Sequence, residues 1–158
     1  MVVLLMGVSG SGKTTVGKLL ASQLGWEFAD GDDYHSTANV EKMKSGIPLT
    51  DLDRGPWLES LRGLMQEWIA SDKNGVLACS GLKRVYRDRL MAGPEVRVVY
   101  LKADRALLRE RLLERQGHYM RESMLESQLA TLEEPEDAVV VDAGGTVENI
   151  VAEIRKSF

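Results

Sequence analysis

At 158 residues and 17.5 kDa the chain has the size of one domain, long enough to bury a core and with little room for a second unit. A composition of 44% hydrophobic and 28% charged residues is ordinary for a globular protein, and a formal net charge of −4 argues against an extended nucleic-acid footprint. The one cysteine, Cys79, excludes an internal disulfide and suits a reducing cytoplasm, and no run approaches the ~18 apolar residues of a membrane helix.

The first expected strand is the apolar run at residues 2–6, too short and without the basic leader of a signal peptide. It runs into Gly7-Val8-Ser9-Gly10-Ser11-Gly12-Lys13-Thr14, which fits G-x-x-x-x-G-K-[ST] at every fixed position, and an amphipathic stretch follows from Thr15 to Leu24. Strand, loop and helix in that order give the motif its meaning. The curled backbone aims successive N–H groups at one anion, and the positive end of the helix adds to the attraction. Gly7 to Thr15 are therefore the expected nucleotide-binding residues, with Lys13 reaching the outer phosphates and the Thr14 hydroxyl ligating Mg²⁺. A plain Gly/Ser turn before a helix is the alternative, and four matched positions in context argue against it.

A second strand, expected at residues 26–29, leads into Asp30-Gly31-Asp32-Asp33. If the segment stays extended, Asp30 and Asp32 share a side. One carboxylate beside a triphosphate can support the metal, and the other can orient and deprotonate an attacking hydroxyl. A solvated acidic turn is the bland reading. Residues 54–69 then carry Trp57, Leu58, Leu61, Leu64, Met65 and Trp68 at helical spacing, which predicts a core-packing helix.

The third strand, at residues 75–79, runs into a segment where Lys83 and Arg87 stand one helical turn apart with Tyr86 beside them. Two cations and a phenol at a strand end suit a carboxylate and hydroxyls, although a solvent-facing basic helix start has the same pattern. Cys79 has no histidine placed to activate it and reads as a small buried strand residue. After a fourth strand at residues 96–101, Asp104 is the expected N-cap of a helix marked by Leu107, Leu108, Leu112 and Leu113. Arg111 and Arg115, one turn apart before Gly117, read as the root of a lid that bears phosphoryl charge, or as a surface helix balanced by Glu110 and Glu114. A fifth strand at residues 138–141 precedes a helix marked by Val147, Ile150, Val151 and Ile154. Continuous Val/Leu strands predict a parallel sheet covered on both faces, with ligands at the carboxyl ends of its strands.

These motifs together resemble the thermoresistant-type gluconokinases, P-loop kinases similar to shikimate kinases. The resemblance covers nearly the whole chain and is most specific at Asp51-Leu52-Asp53-Arg54-Gly55-Pro56-Trp57-Leu58 and at Cys79-Ser80-Gly81-Leu82-Lys83 with Tyr86-Arg87. It continues in Asp30-Gly31-Asp32 with His35, in Gly117-His118-Tyr119-Met120, and in Ser127-Gln128-Leu129. It implies an α/β three-layer fold, a five-stranded parallel sheet of order 2-3-1-4-5 and a helical lid at about residues 116–131. A substrate-binding helical segment is implied at about residues 34–70 of the one domain, 1–158. The implied reaction is Mg²⁺-dependent phosphorylation of D-gluconate by ATP, giving 6-phosphogluconate. By resemblance Asp32 is the base, Asp30 supports the metal, and His35, Arg54, Lys83, Tyr86 and Arg87 are candidates for the sugar acid. The family usually has Ala at position 81, commonly has Phe at 119 and 129, and often has Pro at 121, where this chain has Gly81, Tyr119, Leu129 and Arg121. Family members are often homodimers, yet no stripe in this sequence marks an interface. Two rivals stand beside this expectation: a same-fold kinase for shikimate or a nucleoside monophosphate, and a non-catalytic nucleotide switch.

Overall fold

The computed structural model describes residues 1–114 and 122–158, with side chains of 122–124 left aside. Five parallel strands form one sheet: β1 (Val2–Met6), β2 (Glu27–Asp30), β3 (Gly75–Ala78), β4 (Val96–Lys102) and β5 (Val139–Asp142). Their order is β2-β3-β1-β4-β5, as the resemblance implies. Seven α-helices are described: α1 (Lys13–Leu24), α2 (Thr37–Lys44), α3 (Asp51–Ala70), α4 (Arg84–Leu90), α5 (Arg105–Glu114), α6 (Glu122–Thr131) and α7 (Val147–Arg155).

The alternation of side chains along β1 builds both halves of the core. Val2 and Leu4 face one side, where Trp57, Leu58, Leu61, Met65 and Trp68 of α3 and Tyr86 and Leu90 of α4 cover them. Val3 and Leu5 face the other, under Val16, Leu20 and Ala21 of α1 and Ile150, Val151 and Ile154 of α7. Because both faces are covered, β1 needs an apolar residue at every position, and all five are buried. The apolar periodicity in residues 54–69 is therefore core packing, as expected. Leu107 N–H donates to Asp104 Oδ1 at 2.8 Å, which confirms that N-cap.

A third apolar group lies at the carboxyl end of the sheet. Val8 of the phosphate loop, Leu82 after β3, Leu108 of α5 and Leu125 of α6 are buried together, with Leu112, Leu129 and Leu132 packed against them. This group fixes α6 over the ends of β1 and β3. The expected lid at 116–131 is described only in its α6 part, and Arg115, Gly117, His118, Tyr119 and Arg121 lie outside the described residues.

Strand boundaries shift by one residue from expectation in β2, β3, β4 and β5, and the difference matters most around β2. β2 begins at Glu27 because Trp26 N–H bonds back to Ala21 O, at the end of α1, while Glu27 N–H enters the sheet edge at Asn74 O. The segment after Asp30 is not extended. It turns into a 3₁₀ helix, Gly31–Tyr34, because the Asp30 side chain caps it by accepting from Asp32 N–H at 3.0 Å.

Candidate active site

One cleft of about 250 Å³ opens at the carboxyl ends of β1, β2 and β3. Its floor is the phosphate loop, contributing Ser9, Gly10, Gly12, Lys13, Thr14 and Thr15. Gly10 and Gly12 have φ of +90° and +95°, the left-handed region in which glycine avoids the penalty of a side chain. Gly12 also stands at the N-cap of α1 with no side chain occupying the cap, so the first N–H groups of that helix are presented to an anion. Gly7, Val8 and Ser11 do not line the cleft. Val8 packs in the apolar group beneath α6, and its carbonyl accepts from Ser11 N–H at 3.1 Å and Lys13 Nζ at 3.3 Å. These three residues shape the loop from below.

Beside the loop, Thr14 Oγ1 donates to Asp30 Oδ2 at 2.7 Å. A hydroxyl and a carboxylate are the hard oxygens that Mg²⁺ selects. Among the described residues no group of three or more His, Cys, Asp and Glu could hold a metal ion. Thr14 and Asp30 could supply part of a coordination shell, the rest of which would come from phosphate oxygens and water.

Asp32 enters the cleft from the 3₁₀ turn, opposite the loop. Its position is set from behind, where Trp57 of α3 sends its indole N–H to Gly31 O at 2.6 Å. The other face of the indole stacks on His35, with ring centroids 4.2 Å apart and an interplanar angle of 15°. Asn39 Nδ2 donates to Asp53 O at 2.9 Å and lies 3.4 Å from His35 Nδ1. An NH₂ group offers only donors, so Nδ1 is the acceptor and the ring is neutral with its proton on Nε2. Burial, aided by the Arg54 charge, lowers the His35 pKa from the usual 6.5 to about 4.

Arg54 lines the same cleft, held by bonds from Nη1 to Leu49 O at 2.7 Å and to Tyr86 Oη at 3.1 Å. Tyr86 in turn donates to Asp51 Oδ1, and Lys83 Nζ stands 3.7 Å from the same oxygen. The Tyr86 bond, with Lys83 and Arg54 adding, draws the Asp51 carboxyl below its usual range. Arg54, Tyr86, Lys83 and Asp51 are therefore one network, of which Arg54 faces the cleft and the rest form the layer behind. Asp51 opens a segment of the family resemblance, which assigns it no role. Its role was hidden because it meets Tyr86 only across 35 residues of sequence.

Arg87 is not brought to the cleft. It is buried, with Nη1 on Gly81 O at 2.7 Å and Leu82 O at 3.1 Å, so it pins the turn after β3 instead of presenting charge to a ligand. Helical spacing placed it beside Lys83, but the buried face of α4 claims it. Arg111 differs similarly from a free lid arginine. Its Nη1 donates to Gly10 O at 3.1 Å and Ser11 O at 3.0 Å, and its Nη2 to Ala143 O at 2.6 Å. It ties the phosphate loop to the turn after β5. Cys79 is buried, as its strand position suggested, and burial pushes its thiol up to about 12, which removes it as a nucleophile.

The roof of the cleft falls within the expected lid, where the sequence assigns no single residue a role. Ser127, Gln128 and Thr131 of α6 line it, and Ser80 and Leu82 complete the wall at β3. Gln128 Oε1 accepts from Ser9 N–H at 2.8 Å, across 119 residues.

Comparison with known proteins agrees with this geometry. An AAA domain family model matches residues 2–135. A probable gluconokinase of Xenopus tropicalis is 44% identical over 174 aligned residues, covering 98% of this chain and 92% of that protein. A gluconokinase of Gluconobacter oxydans is 48% identical over 136 residues, covering 85% of this chain and 76% of that protein. A solved gluconokinase from Sinorhizobium meliloti superposes with a TM-score of 0.84 at 43% identity, covering 96% of this chain and 87% of that one.

Proposed function

This chain belongs to the gluconokinases, within the AAA-domain family of P-loop proteins, and from that membership we propose the residues that carry phosphoryl transfer from ATP to D-gluconate. The observation that carries the assignment is one cleft in which Asp32, His35 and Arg54 face Lys13 and Thr14 of the phosphate loop. A nucleotide switch has no use for a second wall of acids and cations.

In this reading the loop N–H groups and Lys13 hold the outer phosphates. Thr14 and Asp30 would hold Mg²⁺, whose chemistry when bound is to neutralise charge on the phosphate oxygens. Gluconate lies between Arg54, which receives its carboxylate or a hydroxyl, and Asp32, which orients its terminal hydroxyl. His35 adds a neutral Nε2–H donor. Tyr86, Lys83 and Asp51 keep the Arg54 guanidinium in place. As the hydroxyl oxygen bonds to the γ-phosphorus, the bond from phosphorus to the ADP oxygen breaks and the hydroxyl proton passes to the Asp32 carboxylate. Positioning and electrostatics supply most of the acceleration.

The test is ADP release from Mg-ATP against gluconate, related sugar acids, shikimate and nucleoside monophosphates. Gluconate is expected to give the highest kcat/KM, and preference for another acceptor would reassign the wall of Arg54 and Asp32. Replacing Asp32 by Asn is expected to lower kcat by on the order of 100-fold or more with ATP-analogue affinity held, as befits loss of a general base. Near-normal turnover in that variant would remove Asp32 from the base role.

A further inference from the structure

Gln128 sits where the two halves of the cleft meet. It belongs to α6, whose position does not depend on it: Leu125 is buried against Val8, Leu82 and Leu108, and Leu129 and Leu132 pack on the same group. The end of the helix is stitched separately to the turn after β3. Glu133 N–H donates to Leu82 O at 2.7 Å, and Glu133 Oε1 accepts from Arg84 N–H at 2.8 Å. On this fixed support, Gln128 reaches the phosphate loop at Ser9 N–H.

The chemistry of that bond orients the whole carboxamide. A backbone N–H can only donate, so the oxygen end must face Ser9, and the planar group then turns its NH₂ end the other way. Gln128 lines the cleft together with Lys13, Thr14, Asp32 and Arg54. The geometry points to Gln128 Nε2 as a donor to the phosphoryl group in flight: anchored through its oxygen to the loop that holds the donor nucleotide, it offers N–H to an oxygen of that group from the side of α6. A neutral donor suits this place. It bonds to an oxygen whose charge is being redistributed, and it adds no further cation to hold the product in the site. This inference rests on the kinase reading above and gives a role to a residue that the family resemblance marks without assigning one.

The oxygen and nitrogen ends of the side chain can be separated by substitution. Gln128→Glu keeps an acceptor for Ser9 N–H but removes the donor and puts negative charge beside the phosphoryl group. Gln128→Ala removes both ends. Wild-type ADP release with gluconate is measured first, and silence with every acceptor would overturn the kinase reading itself. With wild-type turnover in hand, both variants are expected to lose kcat by on the order of 100-fold, the scale of one transition-state donor, while KM for gluconate and ATP moves much less. The melting temperature of Gln128→Glu is expected to stay at the wild-type value, which separates lost chemistry from lost fold. Wild-type kcat in Gln128→Glu, with or without a fall in Gln128→Ala, would show that only the tie to Ser9 matters and overturn the proposal. A wild-type kcat in Gln128→Ala would overturn it as well.

Discussion

At the scale of single residues, the wall proposed for the acceptor depends on one indole. Trp57 holds Gly31 through its N–H and His35 through its face, so it fixes both the turn that carries Asp32 and the ring beside it. His35 is neutral in the fold, with a pKa near 4 against 6.5 in the unfolded chain. The unfolded state therefore binds more protons between those values. The stability held above pH 6.5 is lost as pH falls toward 4. For a half-buried ring the loss is on the order of 1 kcal/mol after allowance for solvent screening. His35→Phe keeps a stacking ring without a proton site. Thermal melts from pH 7.5 to 4.5 are expected to fall more steeply for the wild type than for this variant, and parallel slopes would exclude His35 as a source of acid sensitivity.

At the scale of elements, α3 shows what sequence patterning conveys and what it leaves out. Its apolar periodicity announced the helix and its buried face, but the start of the helix is governed by a capping box. Thr50 Oγ1 accepts from Asp53 N–H at 3.1 Å, and Asp53 Oδ2 accepts from Thr50 N–H at 2.9 Å. Asp53 is also paired with Lys42 of α2 at 2.9 Å. The Thr50 N–H, then Lys42, holds its carboxyl at about 2. Arg54 follows directly, so the cap that begins α3 also aims the residue facing the acceptor. Thr50→Ala is expected to lower unfolding free energy by about 1 kcal/mol in urea denaturation. It should also raise KM for gluconate more than it lowers kcat. An unchanged KM would mean that Leu49 and Tyr86 hold Arg54 without the cap.

At the scale of the molecule, the strands and the phosphate loop were legible because each rests on a local signal, continuous apolar runs and a fixed spacing, while the strand order came from family resemblance. Asp32 and Arg54 were legible through family resemblance. Helical spacing put Tyr86 and Arg87 on one short helix, with Lys83 at its N-cap, yet it could not tell a residue facing the cleft from one buried behind it, and Arg87 fell on the wrong side. Asp51 and Gln128 lie in segments of the family resemblance, but their contacts and those of Arg111 were not legible, because they join segments 35, 119 and about 100 residues apart. Arg111 joins the loops after β1 and β5 through three carbonyls. Arg111→Ala is expected to destabilise the fold by about 2 kcal/mol, the scale of charged hydrogen bonds lost from a half-buried site. It should also weaken binding of a non-hydrolysable ATP analogue about tenfold, equivalent to 1.4 kcal/mol. Calorimetric titration that finds wild-type affinity would show that the loop keeps its shape without this tie.

Because β1 stands in the middle of the sheet, the chain is divided along its length as well as in space. The floor of the acceptor side, from β2 through α4, is one uninterrupted stretch, Glu27–Leu90, lying on one side of β1 apart from the roof. Such a stretch can be inherited as a cassette. Two crossovers, one after α1 and one after α4, exchange the acceptor and leave the phosphate loop, β4, β5 and their helices untouched. What a graft must respect is the register of β3 on β1 from Val2↔Gly75 to Leu5↔Ala78, the side chains of α3 and α4 that close over Val2 and Leu4, the packing of Phe28 and Val76 against α1, and the seat of Leu82 and Arg84 against α6 and Glu133. A fold wired in this order can change its substrate by recombination without relearning how to hold ATP.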